Sequence, residues 1–143
     1  MSMLIAAFMF IVLLALGTAH LVWSAGQTWP IRTEKLLAQT VVGTRNVEHM
    51  PPRPVSLGLA VLMLVAGVLA LALADPAGGG MALTLAGLPL AAVFLARGIV
   101  SYLPWWVERT PEPSFRLNDR RVYSPLCLFL GFGFILLVLW RLL

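Results

Sequence analysis

The chain has 143 residues, 60% of them hydrophobic and 11% charged, with a formal net charge of +4. A soluble domain carries about 25% charged residues, so this balance argues against one. The few cations are spread over connecting segments, which leaves no basic face for a nucleic acid.

Four apolar stretches, at roughly 3–24, 55–74, 81–103 and 125–143, each approach the ~20 residues that cross hydrocarbon. The expectation is a single all-α domain: a polytopic membrane protein built as a four-transmembrane-helix bundle. The first stretch is placed like a secretory leader. However, it has no basic n-region, is too long for an h-region, and Leu21-Val22-Trp23 is a poor cleavage site. It is read as a retained helix. Cys127 is the only cysteine, so neither an internal disulfide nor a pair of exchanging thiols can form.

The segment after the first span carries Arg32, Lys35, Arg45 and Arg53. Within it, Thr33 is placed to cap a short helix over Glu34–Val42, with Glu34 in its first turn and Gly43 at its end. Leu36, Leu37, Val41 and Val42 would meet lipid or the bundle, which predicts an interfacial helix. Met50-Pro51-Pro52-Arg53-Pro54 breaks the chain before the second span. Spans two and three are joined by Asp75-Pro76-Ala77-Gly78-Gly79-Gly80, which predicts an antiparallel hairpin. Stripes of Ala66, Ala70 and Ala74, and of Ala82, Ala86, Ala92 and Ala96, predict close backbone packing. Pro89 should kink span three. The segment before the last span carries Arg109, Arg116, Arg120 and Arg121, and Ser124-Pro125 reads as that span's N-cap and first helical position. Gly131 and Gly133 offer a further close-packing surface in span four.

The short turn and the N-terminus hold no cation, and only Arg141 lies at the far end. The positive-inside rule then puts both long loops in the cytoplasm and both termini outside. The net positive charge implies contact with anionic inner-leaflet lipid. No internal repeat marks a transporter of the inverted-repeat kind.

Arg97 lies inside the third apolar stretch. A guanidinium at membrane depth costs a few kcal/mol even on lenient insertion scales, so it faces protein or water, or snorkels to the headgroups. Ser101 is four residues on, on the same helical face. His20 is expected at similar depth on span one, sharing a face with Gly17, Trp23 and Ser24. Asp119, Tyr123, Ser124 and Cys127 approach from the start of span four, with Asp119 a partner for Arg97 or Arg120. The polar groups therefore converge on the cytoplasmic half, and the opposite half reads as almost featureless. His20, Arg97, Asp119 and Tyr123 are the candidate catalytic residues. Trp23, Arg97, Ser101 and Ser124 are the candidate ligand contacts. Each also has a plainer role: an ion pair for Arg97 and Asp119, a buried hydrogen bond for His20, an aromatic belt for Trp23, Trp29, Trp105 and Trp106.

Several chemistries are argued against. His49 is on a loop, so haem held by two membrane histidines lacks its second ligand. Two histidines and one cysteine scattered this way fall short of a zinc site. No Asp or Glu lies within a span, against carboxylate-driven export. There is no phosphate-binding glycine loop and no nucleophile elbow. No cofactor and no metal are expected.

The stretch Phe94-Leu-Ala-Arg97-Gly-Ile-Val-Ser-Tyr, then Phe115, Asp119 and Tyr123-Ser124-Pro125-Leu126-Cys127-Leu128, resembles a family of small bacterial four-helix integral membrane proteins of unknown function. Ala19-His20-Leu-Val-Trp23 with Gly26 and Trp29-Pro30 adds to the likeness, which covers most of the chain. The Tyr-Ser-Pro-Leu-Cys-Leu string is its most specific part. The resemblance implies an acidic residue soon after the arginine, where this chain has Ser101. It implies a bacterial inner membrane, and it brings a fold and a choice of residues but no reaction.

The leading functional expectation is an accessory protein or a module that binds lipid or a small molecule. The alternative is a membrane enzyme acting on a lipid-, sterol- or quinone-like substrate, with Arg97 holding an oxygen and His20 moving a proton. A second alternative is a component of an oligomeric transporter. Expected partners are membrane lipids and a second copy or a larger membrane protein.

Overall fold

The computed structural model describes residues 1–143. The chain is all-α: α1 (Ser2–Ser24), α2 (Glu34–Val41), α3 (Arg53–Ala74), α4 (Gly80–Val100), α5 (Pro104–Arg109), α6 (Pro113–Asn118), a π-helical turn (Asp119–Tyr123) and α7 (Ser124–Leu142). Four helical segments are long and apolar enough to cross a membrane: α1, α3, α4 and the continuous run Pro113–Leu142. That last run has 30 residues, about 45 Å at 1.5 Å per residue, the full depth of a bilayer with its headgroups.

The helices pack as two pairs, α1 with α3 and α4 with α7. On α1 the inward face is Ala6, Met9, Leu13 and Gly17; on α3 it includes Ala60, Ala66, Ala70 and Leu73. A Cβ on Gly17 would lie 3.1 Å from Leu64, and one on Gly67 would lie 3.0 Å from Phe10, so these glycines set the α1–α3 distance. The second pair is closer still: a Cβ on Gly98 would lie 2.6 Å from Leu128, and one on Gly131 would lie 2.6 Å from Leu95. Helix α7 also joins the pairs, with Gly133 against the Met9 sulfur and Phe129 edge-on to Phe8 at 5.4 Å, both across to α1, while Phe134 stacks on Phe94 of α4 at 5.9 Å.

Several expectations are corrected. The α3–α4 hairpin exists in connectivity, but the two helices touch only lightly and each packs chiefly on another partner. Ala66, Ala70 and Ala74 are buried as expected, yet the inward face of α4 is Thr84, Gly87, Ala91, Phe94 and Gly98. Ala82, Ala92 and Ala96 are exposed and Ala86 is half-buried. Helix α4 is apolar all round, so small residues alone do not tell which face meets protein. Pro89 sits within α4 on its exposed side, and the helix continues past it.

Ser124 is not an N-cap. The helix begins eleven residues upstream, with Pro113 at its first position, and reaches Ser124 through the π-turn. A proline ring in a regular α-helix clashes with the carbonyl four residues back. The wider turn, in which the Ser124 N–H bonds Asp119 O, makes room for Pro125.

Helix α2 starts at Thr33, whose Oγ1 accepts the Leu36 N–H at 3.3 Å, and it buries Leu37 and Ala38. Gly43 follows at φ +73° and lies flat on Phe115 of α6, where a side chain would not fit. The two long loops are therefore packed on each other at one end of the bundle.

The opposite end is not featureless. Arg141 reaches from α7 over the α3–α4 turn. Its Nε donates to Thr84 Oγ1 at 3.0 Å, and its Nη atoms donate to the carbonyls of Leu73, Asp75 and Gly78, the last at 2.5 Å. It gathers carbonyls that helix ends leave free. Arg141→Ala should destabilise the protein by about 2–3 kcal/mol, the loss of charge-assisted bonds. Amide exchange in residues 74–80 should rise, with the Gly26 turn unchanged as internal reference. Unchanged exchange over the turn would show that Arg141 holds nothing.

Candidate functional site

Arg97 is in the last turn of α4, and Ser101 follows as that helix ends. The chain then reverses through α5 and α6, which brings Trp106, Arg116 and Asp119 back over Arg97. Asp119 is fully buried. Its Oδ1 accepts Arg97 Nη2 at 2.8 Å. Its Oδ2 accepts Ser101 Oγ at 2.7 Å, Trp106 Nε1 at 3.0 Å and Arg116 Nη1 at 3.4 Å. Arg97 Nη1 also donates to Ser101 Oγ at 3.1 Å, and Arg116 Nη2 donates to Ser101 O at 3.2 Å. The Arg97 guanidinium lies 5.3 Å from the Trp106 ring centre, within cation–π range. One carboxylate thus ties together α4, α5, α6 and the π-turn.

The π-turn is what aims Asp119 inward, and such turns recur at functional sites. Next to it, Ser124 Oγ donates to Gly98 O at 2.5 Å, which closes α7 on α4. Tyr123 Oη donates to Thr40 O at 3.1 Å, which ties the π-turn to α2. Phe115 fills the space between the Trp106 and Tyr123 rings.

The sequence-derived candidates separate into two groups. Arg97, Ser101 and Asp119 are in direct contact, with Ser124 and Tyr123 on the flank. His20 and Trp23 are elsewhere. His20 Nδ1 bonds Leu16 O at 2.9 Å and its ring packs on Trp23 at 5.0 Å, and it makes no hydrogen bond to the Arg97 cluster. Trp23 Nε1 donates to Trp29 O at 2.9 Å. The second cation on Asp119 is Arg116, not Arg120, which is exposed. Sequence reasoning also missed Trp106 and Arg116. A helical-face signal existed for Arg116, three residues before Asp119 and so on the same side; none existed for Trp106, whose position depends on the reversal at Leu103–Pro104.

Two guanidiniums share one carboxylate, so the cluster retains one positive charge. Arg116 is 15% exposed and Arg97 is 32% exposed. Two of the Arg97 nitrogens are engaged in these bonds, and a guanidinium has five N–H groups, so donors remain for an outside acceptor. Asp119, by contrast, has both oxygens occupied. The arrangement can hold an anionic oxygen at Arg97; it offers no free base beside it. No three His, Cys, Asp or Glu side chains are grouped to hold a metal ion.

A family model spanning residues 13–134 matches the chain. The chain belongs to the family described as protein of unknown function DUF3995. The matched region holds His20 and the whole Asp119 cluster, and leaves Arg141 outside it. No curated protein and no solved structure matches the chain. The DUF3995 match carries no reaction.

Proposed function

We propose that this DUF3995 protein is an integral membrane protein of the bacterial inner membrane, with both long loops cytoplasmic, that acts as an accessory and lipid-binding module. The observation that carries the reading is the unbalanced charge of the Arg97–Asp119–Arg116 cluster. It leaves guanidinium donors at Arg97, at the end of a membrane-spanning helix, where phosphate oxygens of anionic lipid are the abundant acceptors. The enzyme reading requires His20 and Arg97 to act on one substrate, and His20 bonds within its own helix instead.

Native mass spectrometry of protein released gently from its own membrane tests this. Wild type should carry an anionic phospholipid. Arg97→Gln should lose most of it, about tenfold, for the loss of one charge-assisted contact. The variant should still fold, because Asp119 keeps Arg116, Ser101 and Trp106. A bound molecule without phosphate would contradict the lipid reading, and equal lipid on the variant would take Arg97 out of it. A second protein chain in place of lipid would leave only the accessory role.

A further inference from the structure

A second polar site lies on the same end of the bundle, away from Arg97. The end of α1, the turn after it, the start of α2 and the start of α3 enclose a cleft of about 120 Å³. Trp23, Gln27, Thr28, Glu34 and Arg53 line it. The Arg53 guanidinium lies against Gly26, where a Cβ would be 2.7 Å from Nη2. Gly26 has φ +85°, so its turn and the close approach of the cation both need glycine there. The Trp23–Trp29 bond holds that turn closed. Glu34 is held too: Oε1 accepts the Met50 N–H at 3.1 Å, and Oε2 is 3.6 Å from His49 Nδ1.

Arg53 and Glu34 line one small cleft and do not pair. The ion pairs of the chain are Lys35–Glu48, His49–Glu34, Arg97–Asp119 and Arg116–Asp119. Arg53 is in none of them and makes no side-chain hydrogen bond. A cation and an anion that line one cleft without pairing complement a small zwitterion with an anion and an ammonium a few bonds apart. The cleft is at the ends of two membrane-spanning helices, which is headgroup depth, and a tryptophan edges it as interfacial tryptophans do.

We propose that this cleft binds the phosphoethanolamine headgroup of a membrane phospholipid. Its phosphate meets Arg53 with the Gln27 amide and Thr28 hydroxyl, and its primary ammonium donates to Glu34. A choline headgroup presents the same phosphate but no N–H for Glu34. A glycerol headgroup presents no cation. The inference rests on the membrane-spanning fold and not on the Arg97 site.

The test uses full-length protein in micelles containing equal phosphatidylethanolamine, phosphatidylcholine and phosphatidylglycerol with matched chains, and counts bound lipids by native mass spectrometry. Wild type should retain phosphatidylethanolamine over phosphatidylcholine by about fivefold, one net hydrogen bond. Glu34→Gln should bring that ratio to one, since its amide still accepts from Met50 N but no longer attracts the ammonium. Arg53→Gln should lower both lipids by about fivefold, and Arg53→Lys should restore part of the loss. Arg97→Gln should leave the ratio as in wild type, which separates this cleft from the Arg97 site. Equal retention of ethanolamine and choline lipids by wild type, or an unchanged ratio in Glu34→Gln, overturns the assignment. Displacement of the lipid by free phosphoethanolamine at equal concentration would assign the cleft to a soluble ligand and overturn the lipid.

Discussion

Asp119→Ala should be among the most damaging single substitutions in this chain, with a loss of about 3–5 kcal/mol. Asp119 is fully buried and accepts from four side chains, two of them cationic. Its removal leaves Arg97 and Arg116 close together without a counter-charge, and leaves Trp106 Nε1 without its acceptor. The loss is asymmetric. Arg97→Ala leaves a balanced Asp119–Arg116 pair and should cost only about 1–3 kcal/mol, the range for a hydrogen bond to a charged group. Unfolding of the two variants in mild detergent, titrated with a denaturing detergent, measures the difference. Equal costs would mean that the carboxylate is not the centre of the network.

The second large effect is at the α4–α7 contact. Gly98→Leu and Gly131→Leu should each separate the pair and prevent the fold from accumulating in the membrane. Even alanine is too large in both places. A Cβ at 98 would lie 3.1 Å from the Leu128 backbone nitrogen, and one at 131 would lie 2.9 Å from that of Leu95. A flexible side-chain tip can move aside; a helix backbone cannot without moving the helix. Overpacking of this kind costs about 1–3 kcal/mol for alanine and more for leucine. Gly58 is the control, because a Cβ there meets nothing within 4 Å. Gly58→Ala should be neutral or stabilising by about 0.5–1 kcal/mol, as glycine is a poor residue inside a helix. Thermal unfolding of the three alanine variants side by side gives the order. Gly98→Ala and Gly131→Ala as stable as Gly58→Ala would contradict the close α4–α7 approach.

The four long helices were legible because hydrocarbon demands a run of apolar residues of known length. The Thr33 cap and the Gly43 stop were legible because both are local backbone chemistry. The Arg97–Asp119 pair was legible because a charge inside an apolar run needs a partner and few carboxylates were in reach. Helix pairing was not legible. A helix surrounded by lipid and protein is apolar on all faces, so α4 gave no sign that Gly87, Ala91 and Gly98 face inward while Ala92 and Ala96 face out. Ser124-Pro125 misleads for a different reason. A cap followed by proline is a good start signal in a regular helix, and only the π-turn lets the helix run through it. Arg141 reads as a lone terminal cation because its acceptors are backbone carbonyls at the α3–α4 turn, 63 to 68 residues away, and one hydroxyl, Thr84, 57 residues away, which no local pattern marks.

The most direct test of the cluster as a structural joint is a double-mutant cycle between Arg97 and Asp119. Arg97→Met, Asp119→Leu and the double variant would be compared with wild type by unfolding in mild detergent. The account predicts strong coupling, about 2–3 kcal/mol, with the double variant losing much less than the two single losses together. Additive losses would contradict it, because they would mean that Arg97 and Asp119 do not hold each other in the folded protein.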